Sequence, residues 1–283
     1  MKTACGEQLR YQQTVSVGPA SLPVHRTAVR LHCRLGTDVT EDNALLDAYI
    51  REATESVELH SGRALVMQTR KTFIDQWPFG RNVDPLQPGQ DVEVRGCPVA
   101  KLDSVTYTDN AGAAQTWSSS AYQFNSADEP SRLRYVWGGF YPVSRLQEKS
   151  IVITTKNGYA IPITANLTTN VFVMKGFTPV DGDSFRLSNS GGTLPAGLEL
   201  YTDYFIRDAS GSTFKLALTS SGTAIDITTA GTGLSFLGEI NPQAIQAIYL
   251  RVAMNYVDRE GADYKACEAG YWARINSLRY EGP

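Results

Sequence analysis

Three histidines, His25, His32 and His60, are the side chains of this sequence that titrate nearest neutrality, so they pose the first chemical question. His25 and His32 stand seven apart with Cys33 beside the second. On a helix that spacing brings both rings to one face, where a two-ligand metal site is conceivable. Two histidines on a helix surface are the ordinary reading of the same spacing. His60 closes a strongly helical pattern, where a polar or cationic ring is favoured by the carbonyl end of the helix dipole. Paired carboxylates occur at Asp91/Glu93, Asp128/Glu129 and Asp181/Asp183 and could serve acid-base chemistry or calcium. The first pair alternates along a strand, and the others sit in turn-rich sequence, where carboxylates usually bond their own backbone. Gly191-Gly192 and Gly231-Thr232-Gly233 lack the lysine and the strand-to-helix context of a phosphate cradle. Asn166-Leu167-Thr168 matches a glycosylation acceptor, but the start of the chain, Met1 to Glu7, has one positive charge and no apolar run of a secretion signal. No catalytic, metal-binding or cofactor-binding residue is assigned, no cofactor is expected, and the chain does not read as an enzyme.

Binding by aromatic side chains is the remaining chemistry. Trp77, Trp117, Trp137 and Trp272 could each mark a contact surface, although core packing explains most aromatics equally well. Trp272 alone is assigned a contact role, because it projects to the side of the apolar stripe of the last helix.

These side chains must be positioned by elements that the periodicity reveals. The strongest helix begins near Thr40-Glu41-Asp42, with Leu46, Tyr49, Ile50, Ala53 and Val57 on one stripe and Ser61-Gly62 as a left-handed stop. Asp47/Arg51 and Arg51/Glu55 are four apart on it and suited to ion pairing. A shorter helix is expected over 23–34, with Pro23 at its entry. A third opens after Asn241-Pro242 with Ile245, Tyr249, Val252, Ala253 and Tyr256 on one stripe and Ala247, Leu250 and Met254 on a second. Arg251, Asn255, Asp258 and Arg259 are left for a polar seam. Two apolar strips imply cover from two directions, one by the chain's own core and one by a neighbour. A last helix over 263–279 lines up Tyr264, Cys267, Tyr271, Ile275 and Leu278.

Between the second and third helices the pattern changes to strands, at 65–74, 91–94, 104–108, 121–124, 132–136 and 151–155. From 161 to 239 the sequence turns to Gly, Thr and Ser. Short alternating runs recur there at 171–174, 184–187, 204–206, 214–218, 225–227 and 234–236, bounded by Gly-containing turns. That is the signature of a small β-sandwich or barrel. It is read as a self-contained module, inserted at an exposed loop tip and dispensable for whatever the rest of the chain assembles into.

The totals bound the class of function. With 283 residues, 42% of them hydrophobic, the chain can bury a large core as one domain or two. The formal charge of −3, from 26 basic and 29 acidic residues, leaves no basic face for sequence-specific nucleic-acid binding. Four widely spaced cysteines, Cys5, Cys33, Cys97 and Cys267, contain no CxxC pair and suit a reducing compartment. No stretch of about twenty apolar residues is present to span a membrane.

With the β-module set aside, an ordered set of landmarks carries a likeness to a known family. They are Thr40-Glu41-Asp42-Asn43-Ala44-Leu45-Leu46-Asp47-Ala48-Tyr49-Ile50, then Val57-Glu58, Ser61-Gly62-Arg63-Ala64-Leu65 and Cys97-Pro98-Val99. They continue through Ser104-Val105-Thr106-Tyr107-Thr108-Asp109-Asn110-Ala111-Gly112, Tyr122 and Lys156-Asn157-Gly158-Tyr159. The last are Pro242-Gln243-Ala244-Ile245-Gln246-Ala247-Ile248 and Asn255 to Glu260. In this order they resemble the head-tail connector (adaptor) family of long-tailed bacteriophages, over most of 19–159 and 240–260. The module resembles small modules of phage tail and fibre proteins at Asp181-Gly182-Asp183, Leu194-Pro195-Ala196-Gly197-Leu198 and Tyr204-Phe205-Ile206. The adaptor family usually crosses this point in a short loop, so the module is a departure from its pattern.

The resemblance implies an α+β fold, with helices flanking a small β-sheet in a core domain of 1–160 plus 240–283 and an inserted all-β sandwich or barrel domain at 161–239. It implies a virion neck protein, present in the host cytoplasm during assembly. About a dozen copies would form a ring between the portal protein and a stopper or tail-completion protein, with DNA passing through unbound. Ring-interface residues expected on the doubly apolar helix are Ala247, Leu250 and Met254. Portal-contact residues expected on the last helix are Tyr271, Trp272, Arg274 and Arg279. The module would face outward toward a fibre, whisker or capsid component. A different class of function remains in view, a receptor- or glycan-binding appendage of a phage tail in which the module is the principal part. A cytosolic hydrolase would need a convergent His or Cys constellation that the sequence does not display.

Overall fold

The computed structural model describes residues 11–36, 40–78, 91–257 and 265–279, and the fold is α+β, with four α-helices and antiparallel sheets among those residues. Cys5, Asp258, Arg259, Glu260 and Tyr264 lie outside them. The chain forms two compact units, one of Met1–Gly18 and Thr69–Asn157, the other of Pro19–Gln68 and Gly158–Pro283.

In the first unit a five-stranded sheet runs β1 (Tyr11–Val17), β2 (Gln68–Ile74), β8 (Ile151–Asn157), β4 (Val99–Thr108), β5 (Ala114–Thr116) in spatial order. A three-stranded sheet runs β3 (Val92–Val94), β7 (Ser131–Tyr135), β6 (Tyr122–Asn125). Central β8 alternates strictly between buried and half-buried positions and sends Ile151 and Ile153 into the core. Both sheets contribute to one cluster with Val92, Val94, Val105, Leu133, Trp77 and Trp117. Trp77 is sandwiched there, with Tyr141 stacked on it at 4.8 Å and Trp117 meeting it edge-on at 5.2 Å. Trp77 and Trp117 are therefore core residues, as aromatic packing predicts for most tryptophans.

The second unit carries the helices α1 (Arg26–His32), α2 (Asn43–Ser61), α3 (Pro242–Val257) and α4 (Lys265–Leu278). Helix α2 buries Leu46, Ile50, Ala53 and Val57, the stripe its spacing dictates, and Thr54 and Ser61 join them by returning their hydroxyls to the carbonyls of Ile50 and Val57. It stops at Gly62, whose φ of 72° and N–H bond to the Glu58 carbonyl make a left-handed cap. Helix α1 is shorter than its sequence pattern. The ring of His25 accepts from the Thr27 N–H at 3.2 Å and so caps the helix, leaving Pro23 outside it. Asp47 pairs with Arg26 of α1, not with Arg51.

Six strands in the same unit, β9 (Ile161–Asn166), β10 (Val171–Met174), β11 (Ser184–Ser190), β12 (Asp203–Ser210), β13 (Thr213–Ala217) and β14 (Leu234–Leu237), close into an antiparallel barrel in the order β10-β13-β12-β11-β14-β9. Closure removes free edges. Phe172, Leu187, Tyr204, Ile206, Phe214 and Leu216 fill the interior, with Phe172 and Phe214 in register and their rings 5.5 Å apart. The run 225–227 is not a strand, although Ile227 is buried in this core. Strand β14 has a second allegiance: Phe236 is buried among the helices, with Leu234 packed beside it. Removing 161–239 would thus strip part of the helical core as well as the barrel.

The segment entering the barrel depends on a close backbone approach. Gly158 has φ of 145°, and a Cβ there would stand 2.6 Å from the Met67 nitrogen and 2.7 Å from its Cα. At Gly62 a Cβ would meet nothing within 4 Å. Gly62→Ala is expected to cost about 1 kcal/mol, the penalty of a left-handed alanine. Gly158→Ala should cost clearly more, because backbone must move as well. Urea denaturation of both variants checks the order, and equal costs would refute it.

Candidate assembly surface

The residues that might have done chemistry are used locally and do not converge. His25 caps α1 and its N–H donates to the Ser190 hydroxyl at 2.9 Å. His32 stacks on Tyr249 at 5.1 Å, and burial lowers its pKa. Cys33 ends α1 half-buried, and burial raises its thiol pKa. His60 sits at the end of α2 with Nδ1 2.7 Å from the Ser56 carbonyl and the Trp272 ring edge-on at 4.9 Å. Asp91 pairs with Arg134 at 2.6 Å, Glu93 with Arg95, and Asp128 with Arg132. Asp181 accepts the Ala209 N–H at 2.8 Å. Among the described residues no group of three His, Cys, Asp or Glu side chains is placed to hold a metal ion, and no helix is long and apolar enough to cross a membrane.

The helical layer is where contacts with neighbours were expected, and its packing corrects that expectation. Both apolar strips of α3 pack within the chain, with Val252, Ala247 and Met254 buried and Ile245, Tyr249, Leu250, Ala253 and Tyr256 half-buried. Ala247 is 0% and Met254 4% exposed, and Leu250 is half-buried, with its Cδ1 3.6 Å from where a Cβ on Gly270 of α4 would lie. Ala247 and Met254 therefore offer no surface to another copy, because α4 and α2 supply the second cover assigned to a neighbour. The polar seam is engaged too. The Arg251 guanidinium donates to Glu52 at 2.8 and 3.2 Å, Asn255 donates to the same carboxylate at 2.7 Å, and Tyr256 donates to Asp42 at 2.7 Å. These bonds tie α3 antiparallel to α2.

The four residues expected to meet a portal divide on α4. Tyr271 is 2% exposed and its hydroxyl lies 2.9 Å from that of Ser56, so it is an internal tie. Arg274 is half-buried and donates to the Gly270 carbonyl at 3.0 Å. Half-buried Trp272 and exposed Arg279 form a pair, with the guanidinium 6.0 Å over the indole while its Nε donates to the His60 carbonyl at 2.8 Å. Cys267, expected on the buried stripe, is exposed.

The largest apolar exposure lies elsewhere, in the loop between β7 and β8. Trp137 is 90%, Phe140 80%, Val143 71% and Leu146 77% exposed, four large side chains within ten positions. Exposed apolar residues scattered singly are ordinary, whereas these four share one loop. Sequence reasoning passed over Trp137. The available signal was the short spacing of large apolar residues in a stretch containing Gly138-Gly139 and Pro142, with neither helical nor strand periodicity to bury them.

No protein-family model and no curated protein matches this chain. Among solved structures, its fold is similar to that of a chain in the neck of an empty gene transfer agent (GTA) particle, computed with C6 symmetry. That chain is 14% identical, the match covers 96% of this chain and 97% of that one, and the TM-score is 0.55. It is also similar to a chain of the virion of a native GTA particle, at 14% identity, 96% coverage of both chains and a TM-score of 0.54. At this identity the likeness is one of fold.

The internal role of Tyr271 can be measured. Tyr271→Phe and Ser56→Ala should each cost about 1 kcal/mol, the usual net worth of a hydrogen bond. The double variant should cost little more than either, so full additivity in denaturation experiments would refute the tie. His32 gives a pH signature. Its folded pKa is lowered, so the unfolded chain binds more protons below the ordinary value of 6.5, and stability falls as pH drops through that region. Melting curves from about pH 7 to about pH 5 should show a smaller loss for His32→Gln than for the wild type.

Proposed function

We propose that this chain is a structural neck component of a tailed-phage-like particle, a ring-forming adaptor between the portal and the stopper or tail, and not an enzyme. The observation that carries this reading is the likeness of fold, over nearly the whole of both chains, to a chain from the neck of a GTA particle. The ordered landmarks from Thr40 to Ile248 support it independently. The mechanism is mechanical. A copy whose helical layer and barrel are internally complete can be stacked beside identical copies without refolding, and closure of the circle satisfies a head-to-tail contact that an open row would leave unmet. Trp272 and Arg279, with Arg274 behind them, form the surface of α4 that would meet the portal, while Tyr271 holds the helix in place.

DNA would pass through as cargo. Each phosphate neutralised by a protein cation adds salt-dependent affinity, and a chain with a formal charge of −3 holds a sliding duplex weakly. The barrel, with Leu200, Tyr201 and Leu218 exposed, would serve a peripheral component such as a fibre, whisker or capsid vertex. Its interior is filled by its own side chains, so a glycan or receptor would have to bind its outer surface.

Electron microscopy of necks purified from particles that carry this chain should show it as a closed ring of about a dozen copies abutting the portal. Necks that lack it would overturn the proposal. In the same particles Trp272→Ala combined with Arg279→Ala should lower retention of the chain at least tenfold while leaving its fold intact by circular dichroism.

A further inference from the structure

We draw no further inference here: the strongest candidate, the surface patch of Trp137, Phe140, Val143 and Leu146 on the loop between β7 and β8, carries nothing, because nothing in the structure shows what covers it.

Discussion

The second unit depends on the packing of α3 against α2 and α4. Ala244, Ala247, Ile248 and Val252 are fully buried, and the two alanines let neighbouring backbones approach where larger side chains would hold them apart. Around that helix, α2 contributes Ile50, Ala53 and Val57, and α4 contributes Tyr271, Ile275 and Leu278. The polar edge is fixed by Glu52, which accepts from both Arg251 and Asn255. A carboxylate with two donors to satisfy sets the register between α2 and α3 more sharply than apolar packing, which tolerates small slips.

The barrel follows the same economy with one exception. Its closure leaves no strand edge to recruit a neighbour, and its interior is packed with Phe172, Phe214, Tyr204 and six aliphatic residues of the same strands, Ile161, Ile163, Leu187, Ile206, Leu216 and Leu237. Strand β14, however, turns Leu237 into the barrel and Phe236 toward the helices, as the two-residue period of a strand requires. One strand thus serves two cores. The close contact between Gly191 and His25, and the bond from the His25 N–H to Ser190, extend the same seam. Barrel and helices are coupled in stability, whatever the origin of the barrel segment.

How much of this was legible follows from which features are local. Helix α2 could be read residue by residue, because its stripe and its Gly62 cap are properties of consecutive positions. Strands β4, β6, β7 and β8 and most of the barrel runs were legible for the same reason, through their alternation. Strand β1, Tyr-Gln-Gln-Thr-Val-Ser-Val, was not, since its mostly exposed polar residues give no strong apolar period. Strand β9 was not among the runs read as strands; it carries Pro162, a residue that sequence patterns do not favour within a sheet. The apolar strips of α3 were correctly seen, but no sequence pattern says whether the second cover comes from α4 or from another molecule. Trp137 shows the converse. Tyr141 stacks on Trp77 while Trp137 stays exposed, and no local pattern says which ring is taken into the core.

A molecule built in this way separates folding from assembly. The cores close within one copy, and the loop that carries Trp137 is held to its own unit by Tyr141 and backbone bonds. Each of the three clusters therefore closes on side chains of a single copy, so folding is complete without help from a neighbour.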